Sequence, residues 1–214
     1  MQDIKIDIVI PIHNAFYFFE NCLHSIFCCD TDLIGKIIVS DDHSTEEGIE
    51  EIIKKYNKND NIILTKPTER SYFSANVNHG FNFVSEKYFI MLSSDTRAIS
   101  YDWLKVLINE YESDENIGIV APCYPEYLNP QPVSRYSKDL SFVSPPGWCI
   151  KTDLFKEMNG LRSDGKYIHW NSDYEFCERI INRGLKIVQV PTFVCHWGGR
   201  SKEFVSQEIW NTRY

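Results

Sequence analysis

At 214 residues the chain is long enough for one well-buried core and short for two, which predicts a single domain of two lobes, residues 1–96 and 97–214. A hydrophobic content of 43% with 14% aromatic residues excludes disorder, and no apolar run reaches the ~18 residues that a membrane span needs. The net charge of −8 argues against a nucleic-acid partner, which needs a concentrated basic surface, and less strongly against a small phosphate ligand carried by a metal ion.

The chain enters a strand pattern at once, with neither a basic leader nor a cleavable apolar segment, so the expected location is cytoplasmic, or peripheral at the inner face of a membrane. Ile6 to Ile12 is a nearly continuous β-branched run broken by Asp7, as in a buried parallel strand. A helix is predicted from Tyr17 to Phe27, a second buried strand from Lys36 to Ser40, a helix from Glu46 to Tyr56 and a third strand from Ile62 to Thr65. This alternation predicts parallel βαβ units with ligand chemistry at the carboxyl ends of the strands. Next come a helix from Ser74 to Ser85, a strand from Tyr88 to Leu92, a helix from Trp103 to Tyr111 and a strand from Ile117 to Ala121. From Pro122 to Pro146 six prolines break the rhythm, which reads as a long excursion between lobes. A short strand from Trp148 to Lys151, a helix from Ser172 to Arg183, a strand from Lys186 to Val194 and a polar C-terminal helix from Glu203 to Tyr214 complete the prediction. That last helix stops without a cap, consistent with one domain of a longer polypeptide. Seven cysteines at irregular spacing, with no Cys-x-x-Cys pair, read as reduced core thiols rather than a disulfide framework or a zinc site.

Three acidic positions stand where predicted elements end or begin. Asp41-Asp42-His43-Ser44 follows the second strand, where carboxylates can accept hydrogen bonds from ribose hydroxyls or a base N–H; a capping box between Ser44 and Glu47 fits the same residues. Ser93-Ser94-Asp95-Thr96 ends the fourth strand, where a carboxylate can hold Mg²⁺ or Mn²⁺ together with substrate phosphates, or simply make a turn. In Trp170-Asn171-Ser172-Asp173-Tyr174-Glu175, Ser172 and Glu175 again have capping-box spacing. Asp173 then falls in the first helical turn on the inward side with Phe176 and Cys177, where an acid is suited to general-base duty. His196 ends a strand before a Gly-Gly turn, as a core histidine or a metal ligand. Trp148 and Trp170 offer flat faces for a sugar ring or core packing, and Gly80 within a helix implies close packing or ligand approach.

Taken in order, these segments resemble the inverting family 2 glycosyltransferases of the GT-A fold. Ile8 to Asn14 is similar to the opening strand, Val39 to Thr45 to the nucleotide loop, Asn76 to Gly80 to the family's Asn-x-Gly helix, Met91 to Thr96 to its metal motif, and Asp173 to Arg179 to its catalytic-base helix. The resemblance implies an α/β GT-A domain, a Rossmann-like nucleotide lobe with a mixed central sheet fused to a smaller acceptor lobe. Pro11, His13, Asn14, Asp41, Asp42, Asn78 and Ser94 would contact the nucleotide, Pro11 and Asp42 at the base and Asp41 near the ribose. Asp95 and His196 would hold a divalent Mn²⁺ or Mg²⁺, Asp173 would deprotonate the acceptor, and Trp148 and Trp170 would face sugar. The implied partners are a UDP-, dTDP- or GDP-sugar and a glycan or lipid-linked glycan.

Two departures stand out. The metal motif carries one acid, Asp95 behind Ser93-Ser94, a form similar to the rhamnosyltransferase-like branch with its deoxyhexose donors; and Ser172 replaces the acid before the base. A sugar nucleotidyltransferase is the rival enzyme class, but Pro11 to Phe16 lacks the glycine and lysine that grip a triphosphate. A non-catalytic nucleotide-sugar-binding module is the other alternative, and retention of Asp173 speaks against it. A dinucleotide oxidoreductase is disfavoured because no Gly-x-Gly-x-x-Gly follows the first strand.

Overall fold

The computed structural model describes residues 4–123, 140–168 and 170–197. Eight strands form one mixed sheet in the order β3-β2-β1-β4-β7-β6-β8-β5. β1 (Ile6–Ile12), β2 (Ile34–Asp41), β3 (Ile62–Thr65) and β4 (Tyr88–Met91) are mutually parallel. β7 (Trp148–Lys151) runs antiparallel between β4 and β6 (Ile117–Cys123), so β6 again points the same way as β4. β8 (Lys186–His196) pairs in parallel with β6 as far as Phe193 and then antiparallel with the short β5 (Thr96–Ala98).

The sheet is buried on both faces because β1 supplies apolar side chains alternately to each. Ile6, Ile8, Ile10 and Ile12 join one core with α1 (Phe16–Phe27) and α4 (Trp103–Ser113). Val9 joins the other with α3 (Tyr72–Phe81), α5 (Thr152–Glu157) and α6 (Ser172–Asn182). In that second core Phe155 meets Phe81, Phe89 and Phe176 at centroid separations of 4.6, 5.0 and 5.4 Å. A buried ring of this kind typically contributes ~3–5 kcal/mol against its truncation to Ala. Asp7, expected to interrupt β1, is fully buried and satisfied: its carboxylate accepts from the amides of Lys36, Ser85 and Glu86.

Gly80 is explained by packing. A Cβ there would lie 2.8 Å from Val9 Cγ1 and 3.2 Å from Ser40 Cβ, so its absence lets α3 sit directly on β1 and β2. Asn76 on the same helix fixes that contact, its amide donating to the Ser40 carbonyl while its oxygen accepts from Ser40 Oγ.

The starts of α4 at Trp103 and α6 at Ser172 agree with expectation, and those of α1, α2 and α3 differ. α2 begins at Ile49 instead of Glu46, behind Gly48 at φ +104°, and α6 follows Asn171 at φ +63°; neither has a side-chain cap. Neither expected capping box forms: Ser44 bonds to the Asn14 loop and Ser172 to Ser74 on α3. β5 and α5 were not anticipated: one has three residues and the other six, too few for a periodicity. The C-terminal helix and most of the proline-rich excursion lie outside the described residues. All seven cysteines are free thiols, five of them buried, as expected. Among the described residues no helix is long and apolar enough to cross a membrane.

Candidate active site

Because β1, β2, β3 and β4 are parallel, their carboxyl ends open at one edge of the sheet, and three of the expected sequence segments converge there. His13 Nδ1 lies 2.8 Å from the Asp42 carbonyl oxygen. A carbonyl only accepts, so Nδ1 carries the proton, and Nε2 faces the Asn14 amide nitrogen at 3.5 Å as an acceptor. Burial, with the Arg70 charge nearby, lowers the His13 pKa, so the ring is held neutral.

Asn14 locks this loop to the next. Its side-chain oxygen accepts from the backbone amides of Thr45 and Glu46 at 2.7 and 3.0 Å, and its backbone N–H donates to Ser44 Oγ at 2.7 Å. Glu46 returns the contact, each of its carboxylate oxygens accepting from an amide at the start of α1, Ala15 and Phe16. The negative charge therefore sits where the helix dipole favours it. Asp41 accepts from the Ser44 amide and pairs with Lys66 at 3.7 Å. Asp42 is more fully committed: it accepts from the Ser71 amide at 2.6 Å, the Ser71 hydroxyl at 3.1 Å and the Tyr72 amide at 2.8 Å. It thereby holds the start of α3, where Tyr72 has the uncommon φ of +62°.

The chain of contacts continues from α3 to α6. Ser74, two residues past Tyr72, donates its one hydroxyl proton to the Tyr167 carbonyl at 2.7 Å and accepts from the Ser172 hydroxyl at 2.8 Å. Asp173 follows Ser172 directly, so the nucleotide loop and the expected base are connected through one helix start. Asp173 Oδ1 accepts from the Tyr174 amide at 3.0 Å. Burial raises its pKa above the ordinary 3.8, opposed only by amide hydrogens; among the described residues no cation offsets the cost.

At the end of β4, Asp95 and His196 meet. The pairing of Thr96 with His196 across β5 and β8 brings the two side chains to 3.1 Å between Oδ1 and Nε2, and the Trp197 amide closes the turn on the Asp95 carbonyl at 3.0 Å. One carboxylate oxygen and one imidazole nitrogen fit a divalent cation that takes mixed oxygen and nitrogen ligands. Among the described residues no group of three or more His, Cys, Asp or Glu converges, so phosphate oxygens and water would have to complete the shell.

Other expected site residues lie elsewhere. Trp148 has no exposed surface and stacks on Phe176 at 5.9 Å in the core, so in this structure it offers no face to a sugar. Trp170 is half-buried near the start of α6. Asn78 bonds with both ends of its amide to the backbone of Leu161, at 2.7 and 2.9 Å. It lines a cleft of about 810 Å³ between α3, α5 and α6 that includes none of the acids above. Pro11 is buried at the end of β1 beside Ser40, and Ser94 is half-buried in the turn before Asp95. The sequence reading missed Glu46, Lys66, Arg70 and Ser71. Only Glu46 carried a signal, as an acid four residues beyond Asp42.

An open α/β sheet with acids at the carboxyl ends of β2 and β4 and a half-buried carboxylate at a helix start is the layout of the α/β class that places ligands at strand ends. The comparisons place the chain within it. Residues 7–189 match the model of glycosyl transferase family 2, and the chain belongs to that family. Glycosyltransferase GlyA of Streptococcus pneumoniae serotype 4 is 31% identical over 121 residues, 55% of this chain and 17% of that protein. GalNAc-T7, solved with UDP, GalNAc and Mn²⁺, superposes with a TM-score of 0.77 at 17% identity over 90% of this chain and 43% of its own. The mannosyltransferase PcManGT of Pyrobaculum calidifontis, solved with GDP-Man and Mn²⁺, gives 0.74 at 17% identity over 90% and 56%. The fold is GT-A. The chain thus spans under two thirds of the length of each of these proteins.

Proposed function

We propose that the chain transfers a sugar from a nucleoside-diphosphate donor to a hydroxyl of a glycan or lipid-linked glycan, with inversion at the anomeric carbon. The carrying observation is Asp173: a half-buried carboxylate with a raised pKa, tied through Ser172 and Ser74 to the helix start that Asp42 holds. A carboxylate made more basic than an exposed one suits abstraction of a hydroxyl proton as that oxygen attacks. Attack opposite the departing diphosphate inverts the configuration in a single displacement.

The same reading gives Asp41, Pro11, His13 and Arg70 the nucleotide, with Asp42 and Asn14 shaping the pocket around it. Asp95 and His196 would hold Mn²⁺ or Mg²⁺, which when bound supplies positive charge to the leaving diphosphate. GalNAc-T7 and PcManGT were each solved with Mn²⁺ and a nucleotide, which supports a divalent cation here.

A thermal-shift screen of the full chain against UDP-, GDP-, dTDP- and CMP-sugars, with and without Mn²⁺, tests the donor half. Stabilisation by one diphosphate sugar, increased by Mn²⁺, is expected, at about 2.7 kcal/mol when the sugar is at 100 times its Kd. A screen in which no nucleotide sugar shifts the transition contradicts the reading.

A further inference from the structure

The chain leaves α5 through two successive residues in the left-handed region, Asn159 at φ +58° and Gly160 at φ +68°. The backbone groups of this short loop are divided between two helices. The Met158 and Gly160 carbonyls accept from the Arg179 guanidinium of α6, the second at 2.8 Å. Leu161 gives both of its backbone groups to Asn78 of α3: its carbonyl accepts from the Asn78 amide at 2.7 Å, and its N–H donates to the Asn78 oxygen at 2.9 Å. The fit is close, since a Cβ on Gly160 would lie 2.5 Å from Asn78 Oδ1. Within α6, Glu175 accepts from Arg179 at 2.8 Å. A planar guanidinium that reaches two carbonyls and a carboxylate at once makes a rigid joint, which a lysine ammonium does not reproduce.

This joint is the second tie between α3 and α6. The first is the contact of Ser172 with Ser74 at the helix starts. Asn78 follows Ser74 by four residues on α3, and Glu175 and Arg179 follow Ser172 by three and seven on α6, so each set lies on one face of its helix. At ~1.5 Å per residue, the two ties are about 10 Å apart along α6. A single tie leaves a helix free to pivot, and two fix its direction. Asp173 sits beside the first tie, and Asp42 holds the start of α3, so together the ties set the proposed base against the nucleotide loops. A misplacement of about 1 Å at a reacting group can lower a rate by ~10²-fold.

We infer that Asn78 and Arg179 are positioning residues for transfer: acting through residues 158–161, they hold α6, and with it Asp173, at a fixed setting against α3. This rests on the glycosyltransferase reading above, with Asp173 as the base. It gives Asn78 a different role from the nucleotide contact that the family resemblance implies, because both ends of its amide are committed to Leu161.

The test compares Asn78→Ala, Arg179→Lys and their combination with the wild type in the full chain, with Arg183→Ala as control. Arg183 also joins α6 to α5, through Glu157, but as an exposed pair of little weight. Turnover is read as nucleoside diphosphate released from the sugar nucleotide that stabilises the chain in the thermal-shift screen. Donor Kd is read by titrating the same shift, and backbone opening by hydrogen exchange. Each single variant should lose about tenfold or more in kcat, with donor Kd within about twofold of wild type. Amide exchange over residues 172–177 should quicken in Asn78→Ala, although that change is made on the other helix. Because both residues act through one loop, the double variant should lose little more than the worse single one, whereas independent effects would multiply. Arg183→Ala should match the wild type. Unchanged kcat in both single variants, a weakened donor Kd with kcat unchanged, exchange quickened only within 158–161, multiplied losses, or an Arg183→Ala loss as large as that of Arg179→Lys overturns the positioning role. Asp173→Asn in the same assay separates the two ideas: if it lowers turnover while the loop variants behave as wild type, only the positioning role fails. If it turns over fully, the base reading fails and the positioning role with it.

Discussion

Asp42 and Asp173 stand at opposite ends of one hydrogen-bonded path and have opposite surroundings. Asp42 accepts from two amides and a hydroxyl, so its charge is satisfied by the backbone it organises. Asp173 accepts from the neighbouring amide and is raised in pKa by burial. A carboxylate at an element's end can thus build a pocket or act within it, and the number of its donors separates the two. Asp42 builds, and Asp173 is proposed as the base and Asp95 as a metal ligand.

The largest expected effect is on chemistry. Asp173→Asn keeps the shape and removes the base, and should lower transfer by ~10²–10⁴-fold, measured as kcat with the donor identified in the screen. Asp95→Asn and His196→Ala should follow, each raising the Mn²⁺ concentration needed for half-maximal donor stabilisation by about tenfold or more, since each removes a ligand from a two-ligand set. An unchanged Mn²⁺ requirement in both would remove them from the metal site.

Stability should move in opposite directions at the two acids. Asp42→Ala strands the Ser71 and Tyr72 amides and should destabilise the fold by ~1–3 kcal/mol. In a chain of this size that lowers the melting temperature by about 2–4 °C per kcal/mol. Asp173 behaves otherwise. Its folded-state pKa lies above the unfolded one, so its contribution is fully present below the unfolded value and is lost as pH rises through the folded value. Above the folded-state pKa the desolvated charge therefore opposes folding, and there Asp173→Asn should raise the melting temperature while lowering transfer. Equal destabilisation by both substitutions would erase the distinction between them.

The smallest effect is on the pH profile. The acid limb of kcat/KM should fall with an apparent pKa above 3.8, the ordinary value for this carboxyl group, because Asp173 must lose its proton to act. A limb at or below that value would mean that burial does not perturb the acting group.

The strands were legible because short apolar runs bounded by polar residues or turns stand out from the helical periodicity; Ile6–Ile12, Ile62–Thr65 and Trp148–Lys151 lie where the sequence predicts them. Helix caps were less legible. Ser44 and Ser172 carry the spacing of capping boxes but bond instead to Asn14 and Ser74, partners 30 and 98 residues away. The meeting of Asp95 with His196 was expected from family resemblance, and the β5–β8 pairing that produces it was not, because a three-residue strand has no periodicity of its own. Trp148 misled because a tryptophan near an active site reads equally as platform or core. Burial of Trp148 with Ile150 in the core beneath α6 decides for core.

The proposal that Asp173 acts as a base in a single displacement is tested most directly by the stereochemistry of the first product. With the donor fixed by the screen and a sugar acceptor that supports turnover, proton NMR of the transfer product reads the configuration of the newly formed glycosidic bond, which is stable once made. The configuration opposite to the donor's is predicted. Retention of the donor's configuration would contradict the mechanism proposed for this site.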